Sequence, residues 1–110
     1  MYVPEIEPGE LSAQLRGPEE RRPVLLDVRT AAEHGVAALP GSVWIPLHEL
    51  QARADELAEL RGREVVVYCH HGQRSLAGAA FLRHLGIDAR SLAGGIDLYS
   101  TAVDPAIPRY

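Results

Sequence analysis

Residues 65–69 read Val-Val-Val-Tyr-Cys, apolar at every position. A strand with one wet face alternates apolar and polar residues. An unbroken apolar run needs cover on both faces, a condition that parallel sheets flanked by helices satisfy. Val24-Leu25-Leu26-Asp27-Val28 repeats the pattern almost unbroken. Val43-Trp44-Ile45 and Ala89-Arg90-Ser91-Leu92 read as shorter strands, and a faintly marked one falls near Val3 to Ile6.

Helical spacing alternates with these runs. Leu47, Leu50, Ala54, Leu57 and Leu60 form one stripe, with Gln51, Arg53, Asp55, Glu56 and Glu59 outward, which predicts an amphipathic helix ended by Gly62. Leu76, Ala79, Ala80, Leu82 and Leu85 mark a second, deeply packed helix, with Gly86 as its left-handed cap and Ile87 behind it. Glu10 to Leu15 predicts a short helix, and Thr30 with Glu33 a capping box at the start of another. Strand and helix in alternation predict an α/β layer fold on a parallel sheet. At 110 residues, 1–110 is expected to form a single domain.

Composition narrows the function. The net charge is −4 and all eleven basic residues are arginine, scattered along the chain, so nothing suggests a nucleic-acid partner. Without lysine there is no Schiff base and no Walker-type phosphate lysine. The opening MYVPEIEPGELSAQL lacks a basic start and an apolar core, so no secretory signal is expected. No apolar run approaches the roughly 20 residues of a bilayer span, so no membrane partner is expected. A single cysteine, Cys69, favours a reducing, cytoplasmic location.

Cys69 ends the strongest strand and is followed by His70-His71-Gly72-Gln73-Arg74-Ser75, after which a helix begins. In a parallel sheet, ligands sit at the carboxyl ends of strands. A strand that turns straight into a helix leaves backbone N–H groups without helical partners, aimed into the turn and backed by the helix dipole. Gly72 lets such a loop wrap closely, and Arg74 adds a permanent positive charge. A thiolate is stabilised in such a ring, so Cys69 is the candidate nucleophile. A buried, inert cysteine would need no polar loop after it.

The absence of a second cysteine argues against thioredoxin-like exchange. Cys69, His70 and His71 make a poor metal site, because adjacent side chains should point in different directions; no metal and no cofactor is expected. His34, His48 and His84 could pair with a cysteine, but each is expected on a solvated face. Two anion-handling chemistries remain: attack on phosphorus, or attack on sulfane sulfur to give a persulfide. Arg74 stands five positions after the cysteine and Ser75 six, where cysteine phosphatases carry their loop arginine. The shorter loop suits one sulfur atom better than a phosphate.

These residues resemble the rhodanese-like family of single-domain sulfurtransferases. The likeness rests on the Cys69–Ser75 loop, on Leu26-Asp27-Val28-Arg29 with Glu33, on Leu39-Pro40-Gly41-Ser42 leading into Ile45-Pro46, and on Leu92-Ala93-Gly94-Gly95. There are departures: Ala37 and Ala38 stand where the family often has Gly-His, His34 where an aromatic is common, and Tyr99 where tryptophan is usual. The resemblance implies a three-layer α/β/α sandwich on a five-stranded parallel sheet. It implies that Cys69 takes sulfur from a donor such as thiosulfate and passes it to a thiophilic acceptor such as cyanide or a thiol. Amides from His70 to Ser75 would hold thiolate and persulfide, and Arg74 would help bind the anionic donor. His70 and His71 would either tune the acceptor or simply be exposed. Asp27 and Arg29 would sit at an adjacent strand end, more as a structural ion pair than as catalysts. The alternatives are a cysteine phosphatase or arsenate reductase of related fold, and a non-catalytic sulfane-sulfur binding module.

The tail Val103-Asp104-Pro105-Ala106-Ile107-Pro108-Arg109-Tyr110 is similar to the ending of rhodanese-like domains fused to adenylyltransferases that feed sulfur-carrier proteins. That similarity implies a sulfur-carrier protein as acceptor.

Overall fold

The computed structural model describes residues 2–110. Strands β1 (Glu5–Ile6), β2 (Val24–Asp27), β3 (Val43–Trp44), β4 (Glu64–Tyr68) and β5 (Asp88–Leu92) form one sheet in the order β1-β5-β4-β2-β3. Every pairing is parallel. The valine-rich β4 is central, with Val67 opposite Leu26 on one side and Ser91 on the other.

The unbroken apolar runs divide between two cores, as the pleat requires. On one face Leu26, Val28, Val65, Val67 and Cys69 pack with Leu50, Leu57, Ala79 and Leu82. On the other, Leu25, Val66 and Tyr68 pack with Leu11, Ile96 and Tyr99. The first face is covered by α3 (Ala54–Leu57) and α4 (Arg74–His84), the second by α1 (Pro8–Leu15) and α5 (Gly95–Ala102). Val65, Val66 and Val67 are completely buried, and each contributes roughly 1.5–3 kcal/mol. This is the expected α/β sandwich on a five-stranded parallel sheet. The chain runs from β2 into β3 through α2 (Ala31–Val36), whose capping box between Thr30 and Glu33 is formed. Gly86 takes its left-handed conformation (φ +83°), and the Ile87 N–H donates to Leu82 O at 3.0 Å, closing α4.

The single helix expected over Leu47–Leu60 is not formed. The segment is a 3-10 turn (Leu47–Glu49), the one-turn α3 and a second 3-10 turn (Ala58–Leu60). Leu47 with Leu50, and Leu57 with Leu60, are spaced by three, and 3-10 geometry places such pairs directly above one another. The entry is also fixed by the sheet, because the Leu47 N–H donates to Val28 O. No helix among the described residues is long and apolar enough to cross a membrane.

Candidate active site

β4 ends at Tyr68, and Cys69 begins the turn into α4. The residue is 1% exposed, yet with His70, His71, Gln73 and Arg74 it lines a cavity of about 260 Å³ at the carboxyl end of the sheet. A larger cavity of about 590 Å³ lies at the amino ends of β2 and β4 and holds no thiol.

Three donors or acceptors surround the sulfur. The Gly72 N–H donates to Cys69 Sγ at 3.2 Å and the Ser75 N–H at 3.3 Å. The thiol lies 3.4 Å from Ser75 Oγ, which is 2.7 Å from Ser91 Oγ on β5. Both serines are buried. When the sulfur is a thiolate, the Ser75 hydroxyl can turn to donate to it while accepting from Ser91, so three donors then face one anion. Of the amides from His70 to Ser75, those of Gly72 and Ser75 reach the sulfur itself.

The loop holds this shape because its carbonyls are engaged elsewhere. The Ile96 N–H donates to Cys69 O at 2.9 Å and the Asp97 N–H to His70 O at 3.1 Å. These amides open α5, so the first turn of α5 is pinned behind the loop. Gly95 makes the approach possible: a Cβ there would collide with the carbonyls of Cys69 and His70. Gly72 has φ +96°, and a Cβ on it would lie 3.1 Å from the Gly94 nitrogen and 3.2 Å from Leu92 O. The glycine pair of the sequence is therefore the back wall of the sulfur cradle.

Beside the cradle lies a second buried polar cluster. Asp27 and Arg29, both fully buried, form a bidentate pair: Nε donates to Oδ1 at 2.8 Å and Nη2 to Oδ2 at 2.7 Å. Arg29 also donates to Ala37 O at 2.5 Å and to Tyr110 Oη at 2.9 Å. Burial pushes the Asp27 carboxyl up, but the side-chain hydrogen bonds from Arg29 and His34 outweigh it and hold the group below its ordinary value. His34, expected on a solvated face, instead brings Nδ1 within 2.7 Å of Asp27 Oδ2 and stacks on Trp44 at 5.1 Å. The cause is α2, which lays His34 back over the end of β2. His48 and His84 are exposed, as expected.

Arg74 does not point free into the cavity. Its two terminal nitrogens donate to Glu33 at 2.6 and 2.8 Å. The Tyr110 hydroxyl donates to the same carboxylate at 2.8 Å. The hydrogen bond from Arg74, with that from Tyr110 adding to it, holds Glu33 well below the usual carboxylate range, and the Glu33 bond raises Arg74. The Tyr110 phenol, partly buried, is pushed up to about 12.

His70 and His71 do not diverge as adjacent residues were expected to. Their rings stack at 3.9 Å, and Tyr110 stacks on the far face of His70 at 4.0 Å. His70, His71 and Asp97 bring ligand-type atoms within 4.8 Å of one another, but stacked rings direct their lone pairs side by side, and both Asp97 oxygens accept from Arg109. Glu33, Ser91, Asp97 and Tyr110 were not among the expected site residues. Only Glu33 carried a local signal, its capping box; the others arrive from distant strands, helices and the chain end.

A family model described as rhodanese-like domain matches residues 7–102. The chain belongs to the rhodanese-like family. A sulfurtransferase of Allochromatium vinosum is 35% identical over 86% of this chain and 85% of its own length. An adenylyltransferase and sulfurtransferase of Arabidopsis thaliana is 31% identical over 79% of this chain, which spans only 22% of that protein. The crystal structure of a rhodanese-related protein from Thermoplasma volcanium superposes with a TM-score of 0.82, at 28% identity and covering 99% of this chain and 100% of that one. The rhodanese-like fold therefore accounts for the sheet.

Proposed function

We propose that this rhodanese-like domain, residues 1–110, is a sulfurtransferase whose nucleophile is Cys69 and whose intermediate is a Cys69 persulfide. The observation that carries the reading is the pair of backbone N–H groups, from Gly72 and Ser75, aimed at Sγ with a buried hydroxyl as third partner. The Cys69 thiolate attacks the outer sulfur of a donor such as thiosulfate. A new S–S bond forms, the donor's own S–S bond breaks, and sulfite leaves with the electron pair. A nucleophilic acceptor, cyanide or a thiol, then attacks the outer sulfur, and the Cys69 thiolate is regenerated. The cycle is redox-neutral and uses no metal or cofactor.

The physiological acceptor we favour is a sulfur-carrier protein. The support is indirect: relatives include adenylyltransferase and sulfurtransferase proteins and a putative sulfur carrier protein of Bacillus subtilis. Chemistry through one reduced thiol suits the cytoplasm.

Steady-state transfer from thiosulfate to cyanide tests the reading. Wild-type turnover with an inert Cys69→Ser variant is expected. Turnover of p-nitrophenyl phosphate without sulfur transfer would support the phosphatase chemistry instead.

A further inference from the structure

The inference here rests on the sulfurtransferase reading and concerns which donor the site prefers. Arg74 is the arginine lining the Cys69 cavity. A free guanidinium in that position would clamp an anion through two parallel hydrogen bonds. Each of its terminal nitrogens instead directs one N–H to Glu33, whose carboxylate offsets the guanidinium charge. Glu33 is itself braced. Its Oε2 accepts from the Tyr110 hydroxyl at 2.8 Å, and its Oε1 accepts from the Thr30 N–H at 3.2 Å and the Thr30 hydroxyl at 3.1 Å. Tyr110 cannot swing away without losing its bond from Arg29 and its stack on His70.

Arg109 is balanced in the same way. It makes two hydrogen bonds to Asp97, at 2.8 and 3.2 Å. His71 Nε2 lies 3.7 Å from the same carboxylate. Behind them Arg29 is matched by Asp27. Each of these three arginines thus faces a carboxylate. A dianion entering the cavity gains attraction from Arg74, which lines it, and meets repulsion from Glu33, hydrogen-bonded to that same guanidinium. Besides Arg74 the cavity is lined by Cys69, His70, His71 and Gln73, none of which carries a permanent positive charge.

We propose that Glu33 is a specificity-determining residue for the donor step: by occupying Arg74, it makes the site favour sulfane-sulfur donors of low charge, hydropersulfides R–S–SH, over the thiosulfate dianion. In that step the Cys69 thiolate attacks the outer sulfur of R–S–SH. The Cys69 S–S bond forms, the R–S to outer-sulfur bond breaks, and RS⁻ departs with the electron pair while the outer sulfur keeps its proton. Nothing is oxidised or reduced overall.

The test compares thiosulfate with the hydropersulfide of 2-mercaptoethanol as donors, in wild type and Glu33→Gln, by the rate of Cys69 persulfide formation. Freeing Arg74 should lower the KM for thiosulfate roughly fivefold or more, the size of removing one like charge about 4 Å away in bulk water. The KM for the hydropersulfide, which carries at most one negative charge against the two of thiosulfate, should fall by clearly less than that for thiosulfate. A thiosulfate KM that is unchanged or higher in a folded Glu33→Gln protein overturns the proposal. Ionic strength gives a second reading that needs no variant. The wild-type KM for thiosulfate should be nearly flat between low and high salt, because opposed charges cancel. A steep rise with salt would show an uncompensated positive site and overturn it too. Failure to form a persulfide from either donor would instead overturn the sulfurtransferase reading itself.

Discussion

Two buried polar clusters sit side by side at the carboxyl ends of β2 and β4, and they are built on opposite plans. Around Asp27 and Arg29, charge meets charge and each is further bonded: the guanidinium to Ala37 O and Tyr110, the carboxylate to the Arg29 N–H and His34. Around Cys69, two amides and a hydroxyl converge on a single sulfur with no salt-bridge partner. The first cluster has no capacity left for a ligand. The second offers donors in excess of what a neutral thiol needs. A burst of negative charge on sulfur is what the second cluster is fitted to accept. The contrast supports, without reference to any relative, reading the first as a brace and the second as the proposed reaction centre.

Removing one partner from each cluster should therefore give opposite outcomes. Asp27→Asn strands the buried Arg29 charge and should cost about 3–5 kcal/mol of stability, read as a lower urea midpoint. Sulfur transfer per folded molecule should change only a few-fold. If transfer collapses while the protein stays folded, the division into brace and reaction centre is broken. Ser75→Ala is the converse case. It deletes a donor to the anionic sulfur, worth about 1.5–3 kcal/mol for a bond to a charged group, so transfer should slow by roughly ten- to a hundredfold. The Ser75 N–H remains, and persulfide should still form. A variant with wild-type rate would show that the hydroxyl only packs against Ser91.

The smallest effect is on acid stability. Asp27 is held below its ordinary value in the folded chain. Its contribution is then complete above the unfolded carboxyl value, about 3.9, and is lost as pH falls from there through the folded value. Urea midpoints measured at pH 7, 4 and 3 should fall on acidification, and the fall should be shallower in Asp27→Asn. An equal slope in both would place the acid sensitivity in other carboxylates.

What could be read from the sequence was what is local in it. The β4 run, the turn at Cys69 and the Thr30–Glu33 box each need only a few consecutive residues, and each formed. Asp27 and Arg29, two apart at a strand end, were legible as an ion pair for the same reason. The Leu47–Leu60 stripe misled because apolar pairs spaced by three fit a 3-10 turn as well as an α-helix. The partners of Arg74 and of Ser75 were hidden by distance. Glu33 reaches Arg74 across 41 positions and Tyr110 reaches Glu33 across 77. Ser91 meets Ser75 only because β5 pairs in register beside β4. No periodicity encodes such meetings. His34 drew the wrong expectation because its neighbour, Asp27, lies on another element.

The central claim is that the amide cradle exists to carry sulfur on Cys69. Intact-protein mass spectrometry before and after thiosulfate or a hydropersulfide tests it most directly, with Cys69→Ser alongside. A gain of one sulfur atom, discharged by cyanide and absent from the variant, is the predicted result. An unchanged mass with both donors, while the thiol remains open to alkylation, would contradict it.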